Sequence, residues 1–189
     1  MEALLVSFGV VALGEIGDKT QLLSLVLAAR YRRPWPIVAG ILVATLANHA
    51  LAGWVGNWVR GVVPADLMRW ILAAAFFAVA LWALKADELD ETRAARQGRW
   101  GVFGMTVIAF FLAEMGDKTQ VATVMLAAKF DSLAAVVVGT TLGMMAANVP
   151  VVIAGNLAAE RLPLKAIRIA AAVMFAAIGV WVLVAGLPE

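Results

Sequence analysis

EIGDKTQ, residues 15–21, returns 99 positions later in the chain as EMGDKTQ, residues 114–120. Each copy lies in the middle of an apolar stretch long enough to cross a bilayer, which takes about twenty residues. Each copy holds two carboxylates and one ammonium group. A charge at the centre of a membrane costs at least about 2.5 kcal/mol, so ionisable groups there indicate an ion path or a specific partner. If the two copies met, their net formal charge of minus two would suit one divalent cation.

The composition indicates an integral membrane protein. The chain has 189 residues, of which 63% are hydrophobic, and its mean hydropathy is +0.92. Because the basic residues lie mainly between apolar segments, the net charge of +2 favours a role in topology over nucleic-acid binding. There are no cysteines and one histidine, His49, which excludes disulfides, thiolate metal sites and a histidine cluster. Any metal site must therefore be built from oxygen ligands.

The apolar pattern predicts six transmembrane helices and no other regular structure. One connection, from Lys85 to Trp100, carries too many charges to enter the membrane. We therefore expect one membrane domain with a first three-helix repeat at 1–84, a charged cytoplasmic linker at 85–101 and a second repeat at 102–189. The six helices are predicted at roughly 3–29, 35–59, 66–84, 102–128, 132–158 and 165–187.

The offset of 99 residues superposes more than the two heptapeptides. It also places Gly40 on Gly139 and Gly56-Asn57 on Gly155-Asn156, which indicates an internal duplication. Because each half has three crossings, an odd number, the second half enters the membrane from the opposite side. The sequence thus predicts two inverted repeats related by a pseudo-two-fold axis in the membrane plane. Many secondary transporters have this architecture, with the ion site near the midplane.

The distribution of basic residues predicts the orientation. Ten of the fifteen lysines and arginines fall on the side that receives the central linker, and three fall on the opposite side. By the positive-inside rule the linker is cytoplasmic and both termini lie outside. We expect a multi-pass protein of the bacterial inner (plasma) membrane.

The motif can gather oxygen ligands. On a continuous helix, Glu15, Asp18 and Lys19 would fall within about 100° of arc, and Glu114, Asp117 and Lys118 would do the same. A Glu and an Asp at positions i and i+3 can converge on one ion. A purely structural ion pair between two helices is the alternative, but each copy holds one acid more than its lysine can neutralise.

Several neighbours admit two interpretations. Lys19 can pair with Glu15 one turn away or with Asp117 across the axis, and Lys118 has the same choice. Gly17 and Gly116 allow either the close approach of a partner backbone or a break in the helix. The remaining candidates either line the site or bond neighbouring helices and turns: Thr20, Thr119, Gln21, Gln120, Asn48 and Asn148.

At the doubled Glu-x-Gly-Asp-Lys-Thr, the chain resembles the GDT family of membrane cation transporters. The signature of that family is Glu-x-Gly-Asp-(Lys/Arg)-(Ser/Thr) in each of two three-helix repeats, and the similarity covers nearly the whole chain. The resemblance implies a six-helix antiporter that moves Mn²⁺ or Ca²⁺ against protons, with bacterial members associated with manganese export and eukaryotic ones with Golgi ion supply. It also implies four metal-binding acids: Glu15, Asp18, Glu114 and Asp117.

We interpret the chain as a proton-coupled exporter of a divalent cation, without a cofactor and without enzymatic activity. Its partners are then the metal ion, protons and the lipid bilayer. Hard oxygen ligands favour Mn²⁺ or Ca²⁺, and Mg²⁺ ranks third because it sheds water reluctantly. The alternatives are a passive cation channel and an intramembrane acid–base enzyme that uses Glu15 and Asp18. The sequence leaves the choice of metal, the stoichiometry and the oligomeric state open.

The orientation is testable because the chain has no cysteine of its own. We expect tags at both termini to react with membrane-impermeant reagents applied outside intact cells. A single cysteine between Asp87 and Arg96 should react only after the cells are opened. Labelling of that cysteine in intact cells would reverse the predicted orientation.

Overall fold

The structure is a computed structural model that describes residues 1–85, 101–154 and 164–185. The regular elements of these residues are all α-helices, as predicted. They are α1 (Glu2–Glu15), α2 (Lys19–Tyr31), α3 (Pro34–Val62), α4 (Ala65–Ala83), α5 (Gly101–Glu114), α6 (Lys118–Lys129), α7 (Leu133–Ala154) and α8 (Leu164–Ala185). Four of them, α3, α4, α7 and α8, are long and apolar enough to cross a membrane. The described residues therefore form an all-α fold, and four of its helices have the length and composition of membrane spans.

Two of the predicted helices are not continuous. The stretch predicted as one helix at 3–29 is α1 and α2, and the stretch predicted at 102–128 is α5 and α6. Each break contains a glycine in the left-handed region, Gly17 at φ 80° and Gly116 at φ 74°. Glycine adopts this conformation without the steric cost that a Cβ atom would impose. Of the two roles predicted for these glycines, the structure assigns the helix break.

The polar residues that follow each glycine stabilise the break. Asp18 and Asp117 occupy the N-cap positions of α2 and α6, both in an extended backbone conformation. The side-chain oxygens of Gln21 and Gln120 accept hydrogen bonds from the backbone amides of the two glycines, at 2.9 and 2.8 Å. These are backbone donors that a continuous helix would have satisfied itself. The doubled motif therefore encodes its own helix interruption.

The other predicted helices agree with α3, α4, α7 and α8 to within a few residues where they are described. The fifth was predicted to reach residue 158 and is described to Ala154. The charged linker predicted at 85–101 and the connection at 155–163 lie outside the described residues, apart from the ends of the linker. The predicted match of Gly56-Asn57 with Gly155-Asn156 falls there too.

The helices of the two halves are interleaved. Each broken helix packs against the long helix of the other half: α1 and α2 pack on α7, whereas α5 and α6 pack on α3. In addition, α3 packs on α7, and α4 packs on α8. A Cβ atom on Gly40 would lie 2.7 Å from Thr106 Cβ, and one on Gly139 would lie 3.0 Å from Ser7 Cβ and 2.5 Å from the Leu4 carbonyl oxygen. The two contacts are equivalent under the offset of 99 residues. Backbone contact at these glycines holds the halves together.

The core is divided into two apolar clusters. The larger joins α4, α6 and α8 through residues such as Phe76, Leu126 and Phe175. The smaller joins α2, α3 and α5 around Leu27, Ile41 and Phe110. Many large apolar side chains point outward instead, among them Trp54, Trp58, Leu81, Val173 and Val184. An outer surface of this kind fits a lipid environment.

The glycine contacts predict a stability difference. Gly139→Ala should lower the thermal unfolding midpoint in detergent, because its Cβ would collide with a backbone oxygen of α1 that cannot move away alone. We expect a cost of about 1–3 kcal/mol. Gly9→Ala on α1 is the control, since nothing lies within 4 Å of its added Cβ. A Gly139→Ala variant as stable as the Gly9→Ala variant would contradict the close approach.

Candidate metal centre

The two helix breaks meet inside the bundle, where their charged side chains are paired across the halves. Lys19 Nζ lies 2.9 Å from Asp117 Oδ1, and Lys118 Nζ lies 2.9 Å from Asp18 Oδ1. Both aspartate side chains are fully buried, and the Lys118 side chain is only 6% exposed. Of the two pairings predicted for the lysines, the structure shows the one across the halves. The break explains this choice, because it removes the helical i to i+4 geometry between Glu15 and Lys19.

Three carboxylates of the motif form a compact cluster. Glu15, Glu114 and Asp117 are each fully buried, and one oxygen from each lies within 4.8 Å of the others. Asp18 is also buried, and it forms its ion pair with Lys118. All four acids predicted from the sequence therefore lie around the meeting point of the two breaks. They come together because the chain turns at each glycine. The prediction that the charged residues of each motif lie on one face of a continuous helix is therefore wrong.

One oxygen of each glutamate is held by a threonine of its own motif. Thr20 Oγ1 donates a hydrogen bond to Glu15 Oε2. Thr119 Oγ1 lies 3.3 Å from Glu114 Oε2 and 3.1 Å from Asp117 Oδ2, so its single proton serves one of the two at a time. Among the described residues, the other oxygens, Glu15 Oε1 and Glu114 Oε1, are buried without a hydrogen-bond partner.

A buried carboxylate oxygen without a partner is costly, and most such groups in proteins are satisfied. In this cluster a cation or a proton would satisfy both glutamates. The lysines are already used by the aspartates, so the glutamates are the surplus acids that the charge count predicted. The structural ion-pair interpretation therefore describes the Asp–Lys pairs, and the two glutamates are left for a ligand.

The ends of the half-helices add to the electrostatic field. α1 and α5 end at the two glutamates, and the C-terminal end of a helix carries a partial negative charge. The terminal carbonyl oxygens of Glu15 and Glu114 accept hydrogen bonds from the backbone amides of Asp18 and Asp117, at 3.0 and 3.1 Å, which closes the turn at each break. The cluster therefore offers carboxylate oxygens, which hard divalent cations accept as ligands.

The side chains of Gln21 and Gln120, which follow the two breaks, form hydrogen bonds with the long helices α7 and α3. Gln21 Nε2 donates to the Ala147 carbonyl oxygen at 3.1 Å, and Gln120 Nε2 donates to Asn48 Oδ1 at 3.0 Å. Asn48 in turn donates to the Phe111 carbonyl oxygen at 3.1 Å. These residues were predicted as site lining or helix contacts, and the contacts seen are between helices.

Asn148 links α7 to α2. Its Oδ1 accepts a hydrogen bond from Ser24 Oγ at 2.7 Å, and its Nδ2 donates to the Met144 carbonyl oxygen at 3.1 Å. Ser24 was not among the residues predicted from the sequence. Its signal was available in the repeat, because the offset of 99 residues matches it to another hydroxyl residue, Thr123, which is also buried.

Comparison with known proteins gives one family. Residues 3–91 and 102–189 match the family model described as divalent cation/proton antiporter GDT1. The chain is 52% identical over 178 residues to a protein of Vibrio cholerae named "Putative manganese exporter", covering 93% of this chain and 87% of that one. It is 27% identical to GDT1-like protein sll0615 of Synechocystis, over 87% of this chain and 88% of the relative. GDT1-like protein 3 of Arabidopsis thaliana is 23% identical, over 92% and 68%. No solved structure matches the chain.

The buried pair between Asp18 and Lys118 predicts a large energetic coupling. Asp18→Asn should destabilise the protein by about 3–5 kcal/mol, because it removes the charge of the carboxylate 2.9 Å from a buried ammonium group. Combining it with Lys118→Met should recover most of that loss. The measurement is a double-mutant cycle on thermal unfolding in detergent. The exposed pair Arg60–Asp131 is the control, and its coupling should stay below about 1 kcal/mol. Equal coupling in the two cycles would refute the buried pairing.

Proposed function

Because the chain belongs to the GDT1 family of divalent cation/proton antiporters, we propose that it exports Mn²⁺ from the bacterial cytoplasm in exchange for protons. Manganese is favoured by the name of the Vibrio cholerae relative, which is identical at 52% of the aligned positions. Ca²⁺ is the alternative cargo, since the same oxygen donors accept it. The transported ion and the protons use one site, and neither is a resident cofactor.

The observation that carries this proposal is the pair of buried glutamate oxygens, Glu15 Oε1 and Glu114 Oε1, that lack a protein partner among the described residues. Glu15, Glu114 and Asp117 offer oxygens within 4.8 Å of one another, a spacing that one cation can bridge. Asp18 supplies a fourth carboxylate near the same meeting point. We assign these four residues as the metal-binding acids, with Thr20 and Thr119 orienting the glutamates.

The charge count explains why the exchange partners are a metal and protons. Four acids and two lysines give a net formal charge of minus two, which one divalent cation brings to zero. Two protons, one on each glutamate, also bring it to zero. The site is thus uncharged in both loaded forms and carries minus two when empty, which opposes movement of the empty site through the low-dielectric core. This balance favours two protons for each metal ion.

The packing supports an architecture of six crossings in two inverted repeats. The broken pairs α1–α2 and α5–α6 would each make one crossing, and α3, α4, α7 and α8 the other four. The contact of α1 with α7 is equivalent to the contact of α5 with α3, as a two-fold axis between the halves requires. The close contacts at Gly139 and Gly40 are equivalent in the same way. The site would then lie near the midplane, where half-helix ends bind ions in other transporters. The excess of basic residues supports both termini outside the inner membrane.

The two rival functions are weaker. A channel needs a continuous water-filled path, whereas the acids here are buried in packed protein. An intramembrane enzyme would use one acid–base site and gains nothing from a duplicated one. Proteoliposomes separate the three functions. An antiporter moves Mn²⁺ in response to an imposed pH gradient, a channel conducts the ion without one, and an enzyme moves none.

Glutamine variants test the role of the glutamates. Glu15→Gln and Glu114→Gln keep the side-chain shape but cannot exchange a proton for a metal, so each should reduce proton-coupled Mn²⁺ flux to the level of protein-free vesicles. Asp131→Asn is the control, because Asp131 is exposed and should support normal flux. The yield and the thermal midpoint of each variant show whether it is folded. Normal coupled flux in the double variant Glu15→Gln/Glu114→Gln would falsify the exchange mechanism.

A further inference from the structure

His49 is a buried residue with acid–base chemistry that the exchange mechanism above does not use. Its side chain is fully buried on α3, and both of its ring nitrogens lack a hydrogen-bond partner within residues 1–85, 101–154 and 164–185. A neutral imidazole has one donor and one acceptor nitrogen, and buried groups of this kind are ordinarily bonded. Leaving both nitrogens unsatisfied is costly, so the ring indicates a polar ligand.

The internal repeat shows how the equivalent residue is bonded. The offset of 99 residues matches His49 to Asn148 and Thr123 to Ser24. Asn148 Oδ1 accepts a hydrogen bond from Ser24 Oγ at 2.7 Å, which links α7 to α2. In the other half, Thr123 Oγ1 donates to the Thr119 carbonyl oxygen of its own helix at 2.8 Å. The side-chain bond of the asparagine half therefore has no counterpart at His49 in the described part of the chain.

His49 lies on the face of α3 that contacts α6 and α7. Gly53 and Gly56 are four and seven residues further along the helix, so they share this face. A Cβ atom on Gly56 would collide with the Val124 carbonyl oxygen of α6. One on Gly53 would lie 3.0 Å from the Val137 side chain of α7. The imidazole is therefore placed where three helices meet.

The antiparallel course of α3 and α7 decides which residue of α7 lies level with His49. Pro34, at the start of α3, lines a cavity together with Val152, near the end of α7. Gly53, in the second half of α3, instead contacts the first turns of α7. One turn back along α3 from that contact is His49, and one turn forward along α7 is Thr141. The two residues therefore lie at the same level of the interface.

Two buried threonines near His49 are unpartnered as well. Thr45, one turn before His49 on the same face of α3, and Thr141 each have a buried hydroxyl oxygen without a hydrogen bond to any described residue. The neighbouring Thr140 differs, since its hydroxyl bonds to carbonyl oxygens of its own helix at 2.9 and 3.1 Å. Buried polar groups that the protein leaves unbonded are typical binding sites for ordered water. We call Thr45, His49 and Thr141 the polar cluster.

The polar cluster lies beside the second helix break. Asn48, the residue before His49, accepts a hydrogen bond from Gln120 at 3.0 Å and donates one to the Phe111 carbonyl oxygen at 3.1 Å. Gln120 also accepts a hydrogen bond from the backbone amide of Gly116 in the break itself. The residue next to His49 therefore fixes α3 to this break.

Two hydroxyl groups of α6 lead from the level of His49 to the acid cluster. Thr123 is the residue that the repeat places opposite His49, and Thr119 is one turn closer to the break. Thr119 Oγ1 lies 3.3 Å from Glu114 Oε2. Hydroxyl groups both donate and accept hydrogen bonds, which is what a proton path requires.

Glu114 is the one carboxylic acid on the four helices that pack on α3, namely α2, α5, α6 and α7. The described helix α7 carries no titratable residue at all. The other titratable or charged residues on these helices and on α3 itself are Lys19, Arg30, Tyr31, Lys118, Lys129 and Arg60. Lys19 and Lys118 are already paired with aspartates. Glu114 is therefore the acid that His49 would serve.

We propose that His49, together with water bound at Thr45 and Thr141, is a proton relay to Glu114. The inference rests on the proposed transport function, in which Glu114 exchanges a proton for the metal ion. His49 transfers protons in this scheme and does not bind the metal. The relay serves one half of the site, because the amide of Asn148 stands at the equivalent position and does not titrate.

The proton balance of the relay is simple. When the metal ion binds, the proton of Glu114 passes through the threonine hydroxyls to the acceptor nitrogen of the neutral ring. The proton on the other ring nitrogen passes to the bound water. The imidazole gains one proton and loses one, so it remains neutral in its other tautomer, and Glu114 becomes a carboxylate. Both nitrogens must be free of protein bonds for this transfer, as they are among the described residues.

The rate of proton release tests the relay on the full chain in detergent. Mixing the protein with saturating Mn²⁺ in weak buffer should release protons, which a pH-indicator dye records. His49→Asn should slow this release at least about tenfold. The amount released and the Mn²⁺ affinity should stay unchanged, because the four acids are intact. Asparagine is a conservative choice, since Asn148 occupies the equivalent position and bonds to a hydroxyl. Equal rates for His49→Asn and the unmodified chain would overturn the relay.

Hydroxyl variants keep the test decisive if His49→Asn lowers the thermal midpoint. Thr141→Val keeps the side-chain shape but cannot bond water, so proton release should slow at least about threefold. Thr140→Val is the matched control and should leave the rate unchanged, because its hydroxyl is bonded within its own helix. An unchanged rate with Thr141→Val would overturn the role of the bound water.

Failure of the proposed function gives a different result. If the unmodified chain binds Mn²⁺ without releasing protons, the carboxylate exchange fails and the relay fails with it. If the unmodified chain releases protons and His49→Asn releases them equally fast, the relay alone fails. In proteoliposomes the relay predicts that His49→Asn lowers the maximal rate of Mn²⁺/proton exchange and leaves the KM for Mn²⁺ unchanged. A raised KM with an unchanged maximal rate would assign His49 to metal binding and overturn the relay.

Discussion

The cost of burying charge in a low-dielectric interior is the constraint on which this structure depends. Four carboxylates and two lysines lie at the meeting point of the helix breaks. The bundle satisfies the aspartates by pairing each with the lysine of the other half, at 2.9 Å in both cases. Since breaking one such pair leaves a buried charge, the crossed pairs also fix the register between the halves. The two glutamates remain, and within the described part of the chain one oxygen of each is buried without a hydrogen-bond partner.

The glycines of the motif make this arrangement possible. On a continuous helix Lys19 would lie one turn from Glu15, and the motif could neutralise part of its charge locally. The left-handed glycine in each break directs the chain so that acid and lysine separate and each finds a partner across the bundle. The glutamine that follows satisfies the glycine amide, which keeps the break stable inside the protein. One heptapeptide thus provides the break, its capping and the charged groups.

The charged centre follows the internal repeat, whereas the helix packing around it does not. The crossed pairs obey the repeat, because both halves must compensate the same charges at the same place. The surroundings of α2 and α6 do not obey it, since among the described residues α4 packs closely on α6, whereas neither α4 nor α8 makes a comparable contact with α2. The charged centre is therefore symmetric, whereas the helix packing around it is not.

The sequence determined the apolar helical class, the doubled heptapeptide and which acids lie within apolar stretches, because hydropathy, internal identity and charge are all properties of the chain itself. It did not determine that two of the six predicted helices are broken, since Gly17 allows both a break and a close backbone approach. It also left open whether Lys19 pairs with Glu15 or Asp117, because in either pairing the lysine neutralises one carboxylate. Only the tertiary structure decided these points, and only it distinguished the buried Lys129 of α6 from the exposed Arg30 at the equivalent position of α2. Equivalent sequences cannot encode that difference locally, because it arises from which half-helix the rest of the bundle packs against.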